Sequence, residues 1–414
     1  MPESELCYHD SIMERDEGSG LFELAAAVAR ARPAGLVDVF LERRVEVCWR
    51  LVEGRVVSRE TLLREGAAVR REGALVSGDG LDRPVLAALL GITTRALPPF
   101  SAPAFPDPPP LEETLPGLPA VWAGVRWGWR WAAVLEGGRA VVLVRPDLAE
   151  VTHADGHRAL TAWPPSPDTE PDGTAPEQQA NARVGKARVL LAPAAAAVLL
   201  HELIGHPLEG DLLLRGASPW SGRQGERLMQ LRLSVTDDPT RTDLPGGFSA
   251  DDEGEAARRR ELLADGVLVG ALADRESAAA LGVLPGNARR ATVHVHPRPR
   301  MSNLVAHAAD PLPHPPRHEA AIEVMTLASG TMEPASGSIL LHVRTAFALR
   351  RGERHRTLVP FTLVGSVAAV RAGMLAAAEP TLPVAEPGWC AKEGEIVPTG
   401  AVAPWLLLAG LEVR

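Results

Sequence analysis

The sequence predicts an α+β fold in two domains. An α+β amino-terminal domain with an antiparallel sheet spans residues 1–176, and a β-rich carboxy-terminal domain that carries one histidine-bearing helix spans 177–414. Three observations predict it. Apolar and polar residues alternate over long stretches of the first third of the chain, interrupted by Glu53-Gly54 and Gly137-Gly138, which suit tight turns. Two proline-rich stretches, 97–119 and 164–176, then break the chain as linkers do. Beyond them the pattern changes to short alternating runs around a single apolar helix.

Taken in order, Gly20–Ala31 reads as a helix, because Leu21, Leu24, Ala25 and Val28 recur at helical spacing. From Leu36 onward apolar residues alternate with Asp38, Glu42, Arg44, Glu46 and Arg50, and Glu53-Gly54 divides two such runs into a hairpin. Ala67–Gly78 has the same pattern, and Asp82–Leu90 reads as a short helix. Leu97–Pro119 holds nine prolines and is expected to be a stiff linker or draped loop. Trp127, Trp129 and Trp131 share one face of a second hairpin that turns at Gly137-Gly138; their indoles are expected to pack a core or line a groove. Pro164–Pro176 is the expected domain boundary.

In the second half, Ala187–Leu191 reads as a buried strand, and Pro193 is placed to open a helix running from Ala194 to His206. Met229–Thr236, Thr292–His296, Ile339–Leu349 and Thr357–Val364 read as strands, with a short helix near Ser366–Ala378.

Composition narrows the function. The net charge of −9 excludes a nucleic-acid binder in the ordinary sense, since counterion release needs a basic face. Of 43 basic residues only Lys186 and Lys392 are lysines. Cys7, Cys48 and Cys390 are too few for a disulfide framework. The amino terminus is acidic where a signal peptide would be basic and apolar, and no apolar run reaches the roughly 20 residues of a membrane span. A cytoplasmic chain with no membrane and no nucleic-acid partner is expected.

The stretch that carries chemistry is HELIGHPLEGD, Tyr-free and starting at His201. His201, Glu202 and His206 form an H-E-x-x-x-H pattern, one residue longer than the H-E-x-x-H of zinc proteases. Two neutral imidazoles can bind one metal ion, and a carboxylate beside them can deprotonate a metal-activated water. On a regular helix, however, residues five apart point about 140° away from each other. Both histidines reach one ion only if the helix ends there or gains a residue in a π-type bulge. Gly205 and Pro207 are expected to supply that irregularity, glycine by relaxing the turn and proline by disfavouring α-geometry at His206. A catalytic zinc site needs a third protein ligand, and Cys390, between Gly388 and Gly394 in a loop-like stretch, is the strongest candidate.

These residues resemble the TldD/PmbA family of zinc peptidases, specifically its metal-bearing TldD branch. The resemblance continues in order through SVTDDPT (Ser234–Thr240), SADDEG (Ser249–Gly254), DGVLVGALADRESAAALG (Asp265–Gly282), GNARR (Gly286–Arg290), PRMSN (Pro299–Asn303) and CAKEGEIVPTG (Cys390–Gly400). Residues 36–92 are also similar to that family's amino-terminal domain. The resemblance implies one Zn2+ per chain held by His201, His206 and Cys390, with Glu202 as general base in hydrolysis of small or unfolded peptides. It also implies a TldE/PmbA-like partner subunit, or alternatively a second copy of the chain. Some relatives instead tailor peptide-like intermediates, and a non-catalytic subunit is a further alternative. Pro207 stands where the family usually has glycine, and the segment after Asn303 departs from the usual Tyr-containing one.

Further candidates are weaker. Glu209 and Asp211 are placed to orient a metal-bound imidazole, or else to cap a turn. Arg289 and Arg290 could grip a peptide's terminal carboxylate or form an ordinary ion pair, and Asn303 could bond a substrate backbone or a turn. Asp237, Asp238, Asp251 and Asp252 match no EF-hand spacing.

Overall fold

Glu53 and Gly54 both adopt positive φ, at 48° and 72°, the backbone geometry that turns a strand tightly back on itself. In the computed structural model this joins β1 (Leu36–Val52) to β2 (Arg55–Arg71) in a long antiparallel hairpin. The structure describes residues 20–414 except 32, 105–110, 112–117, 144, 146–147, 155–157, 163–178, 335 and 380–384. Gly73 turns β2 into β3 (Ala74–Asp79), and Gly137-Gly138 joins β4 (Trp122–Glu136) to β5 (Arg139–Leu143). With β6 (Leu148–His153) and β7 (Arg158–Ala162) these strands form one antiparallel sheet in the order β3-β2-β1-β4-β6-β7, with β5 on β4.

Helices α1 (Leu21–Ala31) and α2 (Arg83–Leu90) cover one face of this sheet. Asp82 caps α2 by accepting the Val85 N–H, and Gly91 closes it in the left-handed conformation. Trp127 and Trp131 are buried and Trp129 is partly buried against the same apolar clusters, so the indole stripe packs the core. Leu97 and Ala102 of the proline-rich stretch drape over the helical face, while the expected boundary at Pro164–Pro176 lies outside the described residues. The opposite face, at Phe40, Ala68 and Val134, meets Ala250 and Val293 of the second domain.

The second domain is β-rich, as expected. Strands β9 (Gly185–Leu191), β16 (Ile322–Glu333), β17 (Ser338–Arg350), β19 (Phe361–Ser366) and β23 (Trp405–Val413) pair in a closed ring, β16-β9-β23-β19-β17 and back to β16. A second, six-stranded sheet runs in the order β12 (Val267–Leu268), β11 (Arg260–Ala264), β10 (Leu233–Asp237), β15 (Asn303–Ala308), β22 (Glu395–Val402), β21 (Ala385–Lys392); β13 (Ala288–Arg289) pairs with β14 (Arg298–Pro299), and β8 (Gln179–Ala180) ends the sheet that holds the ring. One continuous apolar core runs through both.

Several boundaries differ from expectation. Thr292–His296 is a turn, because the Val293 and His294 N–H groups bond to Glu42 and Thr292 side chains and the Val295 N–H bonds to the Thr292 carbonyl, so no ladder forms. Pro360 divides Thr357–Val364 between β18 (Glu353–Leu358) and β19, since proline has no N–H for a ladder. The helix near Ser366 stops at Gly373, and Met374–Ala378 becomes strand β20 on β23. A Cβ on Gly373 would meet the Ala409 carbonyl oxygen at 1.9 Å, so the strand packs there only because the residue is glycine.

Candidate metal centre

Helix α3 (Pro193–Leu200) leaves the end of β9. Pro193 sits in its first turn, four alanines in a row favour the helix, and apolar residues on all sides suit it to a fully buried position. The helix then changes pitch. His201–Gly205 is a π-helical turn in which the His206 N–H donates to the His201 carbonyl, five residues back. His206–Leu208 follows as a 3-10 turn.

The extra residue in the π turn removes the spacing problem. The Nε2 atoms of His201 and His206 lie 3.3 Å apart, with the rings edge to face at 78°. The reasons for the irregularity differ from those expected. Gly205 has an ordinary helical φ of −59°; its value is space, because a Cβ there would lie 1.8 Å from the Met301 sulfur. His206 keeps α-geometry (φ −54°, ψ −45°) despite Pro207, whose missing N–H ends the π ladder instead.

Cys390 arrives from the other sheet. It lies on β21, paired with Val397 of β22, where a loop was expected; the loop is the Glu393-Gly394 turn beyond it. Its sulfur is 3.7 Å from His206 Nε2. The three donor atoms of His201, His206 and Cys390 lie within 4.8 Å of one another, the one such group of three among the described residues. The donor set therefore bridges the closed ring, through α3, and the six-stranded sheet.

These distances can be tested against a zinc ion. Tetrahedral zinc, with bonds near 2.0–2.1 Å to nitrogen and 2.3 Å to sulfur, separates two nitrogens by about 3.3 Å and a nitrogen from a sulfur by about 3.6 Å. The His201–His206 and His206–Cys390 spacings, 3.3 and 3.7 Å, fit. Electrostatics favour the ligand form of the sulfur: burial alone would raise the Cys390 thiol, but His206 and His201 hold it well below the usual range. His206 is correspondingly pushed well above the usual histidine range; burial opposes this, and Glu209 and the thiolate outweigh it.

Glu202 is buried beside the imidazoles. Burial raises its carboxyl above the usual range, and the two imidazoles and the Met332 N–H pull against that rise. Strand β16 comes close here, since a Cβ on Gly330 would lie 3.1 Å from Glu202 Cγ.

Glu209 is fully enclosed. One carboxylate oxygen is 3.2 Å from His206 Nδ1 and the other 2.8 Å from Lys392 Nζ. Burial would raise its pKa, but His206, Lys392 and Arg300 hold it down at about 2. Asp211 does not reach an imidazole; it pairs with Lys392 at 2.7 Å and Arg215 at 2.6 Å. Arg300 donates from Nε to the Cys390 sulfur at 3.3 Å and from Nη2 to its carbonyl. Arg300 and Lys392 were not singled out from the sequence, although both lie in the motifs PRMSN and CAKEG, and Lys392 is one of two lysines in the chain.

The expected substrate contacts fare differently. Arg289 is buried, donating to the Met301 carbonyl, with burial and nearby Arg145 pushing its pKa down to about 9. Arg290 stacks 4.1 Å from the Phe40 ring of the amino-terminal sheet. Neither offers an exposed fork to a carboxylate. Asn303 accepts the Gly246 N–H and donates to the Asp238 and Arg241 carbonyls, so both ends of its amide are engaged in the fold. The acidic residues are likewise occupied: Asp251 accepts three backbone N–H groups, and Asp252 pairs with Arg130 and Arg145 across the domain junction.

Comparison with known proteins identifies the family. Residues 184–414 match the family model for the PmbA/TldA metallopeptidase C-terminal domain. A protein from Archaeoglobus fulgidus named metalloprotease is 30% identical over 227 residues, covering 54% of this chain and 52% of the relative. A Haemophilus influenzae protein named metalloprotease TldD homolog is 30% identical over 237 residues, covering 56% and 49%. The chain thus spans about half the length of the curated relatives it matches. The crystal structure of TldE from Thermococcus kodakarensis superposes with a TM-score of 0.66 at 13% identity, over 95% of this chain and 99% of that one, which shows a shared fold. No described helix is long and apolar enough to cross a membrane. With more than half of its length matched by the family model, the chain belongs to the PmbA/TldD family.

Proposed function

We propose that this chain is a zinc-dependent peptidase of TldD type, with His201, His206 and Cys390 as the zinc ligands and Glu202 as the general base. The observation that carries the reading is the set of three donor atoms, spaced as zinc spaces its ligands, with a buried carboxylate beside them. The names of the relatives support a metalloprotease.

Zinc bound there would supply a Lewis acid that acidifies water from about 15.7 to about 7 and draws charge from the scissile carbonyl. Glu202 accepts the proton released as the water oxygen attacks the carbonyl carbon, and returns it to the amine nitrogen as the C–N bond breaks. A raised carboxyl suits that task, because the best base has a pKa near the working pH. Glu209 holds His206 through Nδ1 and leaves Nε2 free to face the ion.

Small or unfolded peptides are the proposed substrates, and a TldE/PmbA-like subunit, or a second copy, the proposed partner. The test is a peptide library presented to the chain alone and with such a subunit, for wild type and Glu202→Gln. Hydrolysis by wild type and none by the variant, with metal retained in both, is expected. Normal turnover by Glu202→Gln would remove Glu202 from the chemistry.

A further inference from the structure

Arg300 is fully buried, and its ion pair with Glu209 is a long one. A desolvated guanidinium is costly unless an anion faces it. No carboxylate among the described residues reaches it within hydrogen-bond distance. Glu209, the nearest recorded, is 3.9 Å away and already engages His206 and Lys392. Arg300 Nη1 has no partner at all. What Arg300 does hold is Cys390, donating to its sulfur at 3.3 Å and to its carbonyl oxygen.

We infer that Arg300 is a positioning residue for the metal centre, an N–H donor that fixes Cys390 through both its sulfur and its carbonyl and tempers how strongly the sulfur gives charge to the ion. The inference rests on the proposed ligand set. Two physical steps carry it. The bond to the carbonyl fixes the backbone of β21 at the ligand, and the bond to the sulfur aims the lone pairs that remain. A hydrogen bond to a thiolate also lowers the energy of its lone pairs, so less charge passes to the metal and the metal stays a stronger Lewis acid. Outer groups of this kind set metal affinity and ligand basicity in metalloproteins generally. On the other side of the centre, Glu209 contacts His206, and Lys392 pairs in turn with Glu209.

The test uses cobalt(II) as the probe on the full chain. Wild type should show a sulfur-to-cobalt charge-transfer band that is absent in Cys390→Ala. In Arg300→Met, with one cobalt bound, the band should move to longer wavelength and cobalt affinity should fall roughly 10–100-fold. Arg300→Lys, which restores an N–H donor, should recover part of the affinity. A band that stays in place in cobalt-loaded Arg300→Met, with unchanged affinity, would overturn the role of Arg300 and leave the ligand set standing. A wild type with no Cys390-dependent band would overturn the ligand set and the inference together. Should Arg300→Met not fold, 15N-labelled wild type loaded with 113Cd decides the matter. A coupling from the Arg300 Nε–H to cadmium through sulfur is expected, and its absence contradicts the inference.

Discussion

Glu209 and His206 face each other three residues apart, a carboxylate oxygen 3.2 Å from Nδ1, with Glu209 fully buried and His206 partly so. That contact selects the tautomer that carries its proton on Nδ1 and leaves Nε2 to point at Cys390 and His201. Glu209→Gln keeps the shape and removes the charge. Metal affinity should fall by roughly 10–100-fold, as for other outer-shell partners of ligating histidines. A chelator competition titration measures it, and an unchanged affinity would show that the contact does not orient the ligand.

Gly205 allows the π turn to pack against Met301. Gly205→Ala should destabilise the fold by about 1–3 kcal/mol, as overpacking does, because the new methyl overlaps the Met301 sulfur. Met301→Ala combined with it should cost less than the two single changes added together, since shared contacts couple. Urea unfolding of the four proteins gives the coupling. Strict additivity would mean that the turn, not the sulfur, sets the requirement for glycine.

Asp252 ties the domains together and should make stability fall in acid. Burial alone would raise its pKa, but Arg130, Arg145 and Arg290 outweigh this and hold it well below the usual range. The folded state therefore binds this proton more weakly than the unfolded chain does. The stabilisation is full above the ordinary aspartate pKa of about 4 and drains away as pH drops below it. Asp252→Asn should unfold more easily at neutral pH, by about 3–5 kcal/mol for a broken buried pair, and lose less on acidification than wild type. Equal acid sensitivity in both would assign the effect to other carboxylates.

Asn303 anchors the 238–247 loop through three hydrogen bonds. Asn303→Ala should lower stability by about 1–3 kcal/mol, the cost of stranding buried backbone groups, while metal stoichiometry stays unchanged. Thermal unfolding beside metal analysis separates the two. A stable variant with altered peptide affinity would restore the substrate-binding role.

Much of this was legible in the residue string because it depends on local rules. Glu53-Gly54 and Gly137-Gly138 turn hairpins since positive φ is cheap at their glycines, and the five-residue histidine spacing requires a π turn or a helix end if both rings are to meet. What was not legible depends on contacts far apart in sequence. Arg289 and Asn303 looked available for substrate until the fold surrounded them. Arg300 and Lys392 acquire meaning only when β21 lies against the residues after α3, nearly two hundred positions away. Thr292–His296 alternates like a strand, yet side chains of Glu42 and Thr292 take the backbone N–H groups first.

One zinc held by His201, His206 and Cys390 can be counted by elemental mass spectrometry on purified wild type and Cys390→Ala, with Cys48→Ala as the control for losing a thiol outside the site. Zinc near one equivalent per chain is expected in wild type and Cys48→Ala, and its loss in Cys390→Ala. Zinc retained equally in all three proteins would remove Cys390 from the ligand set.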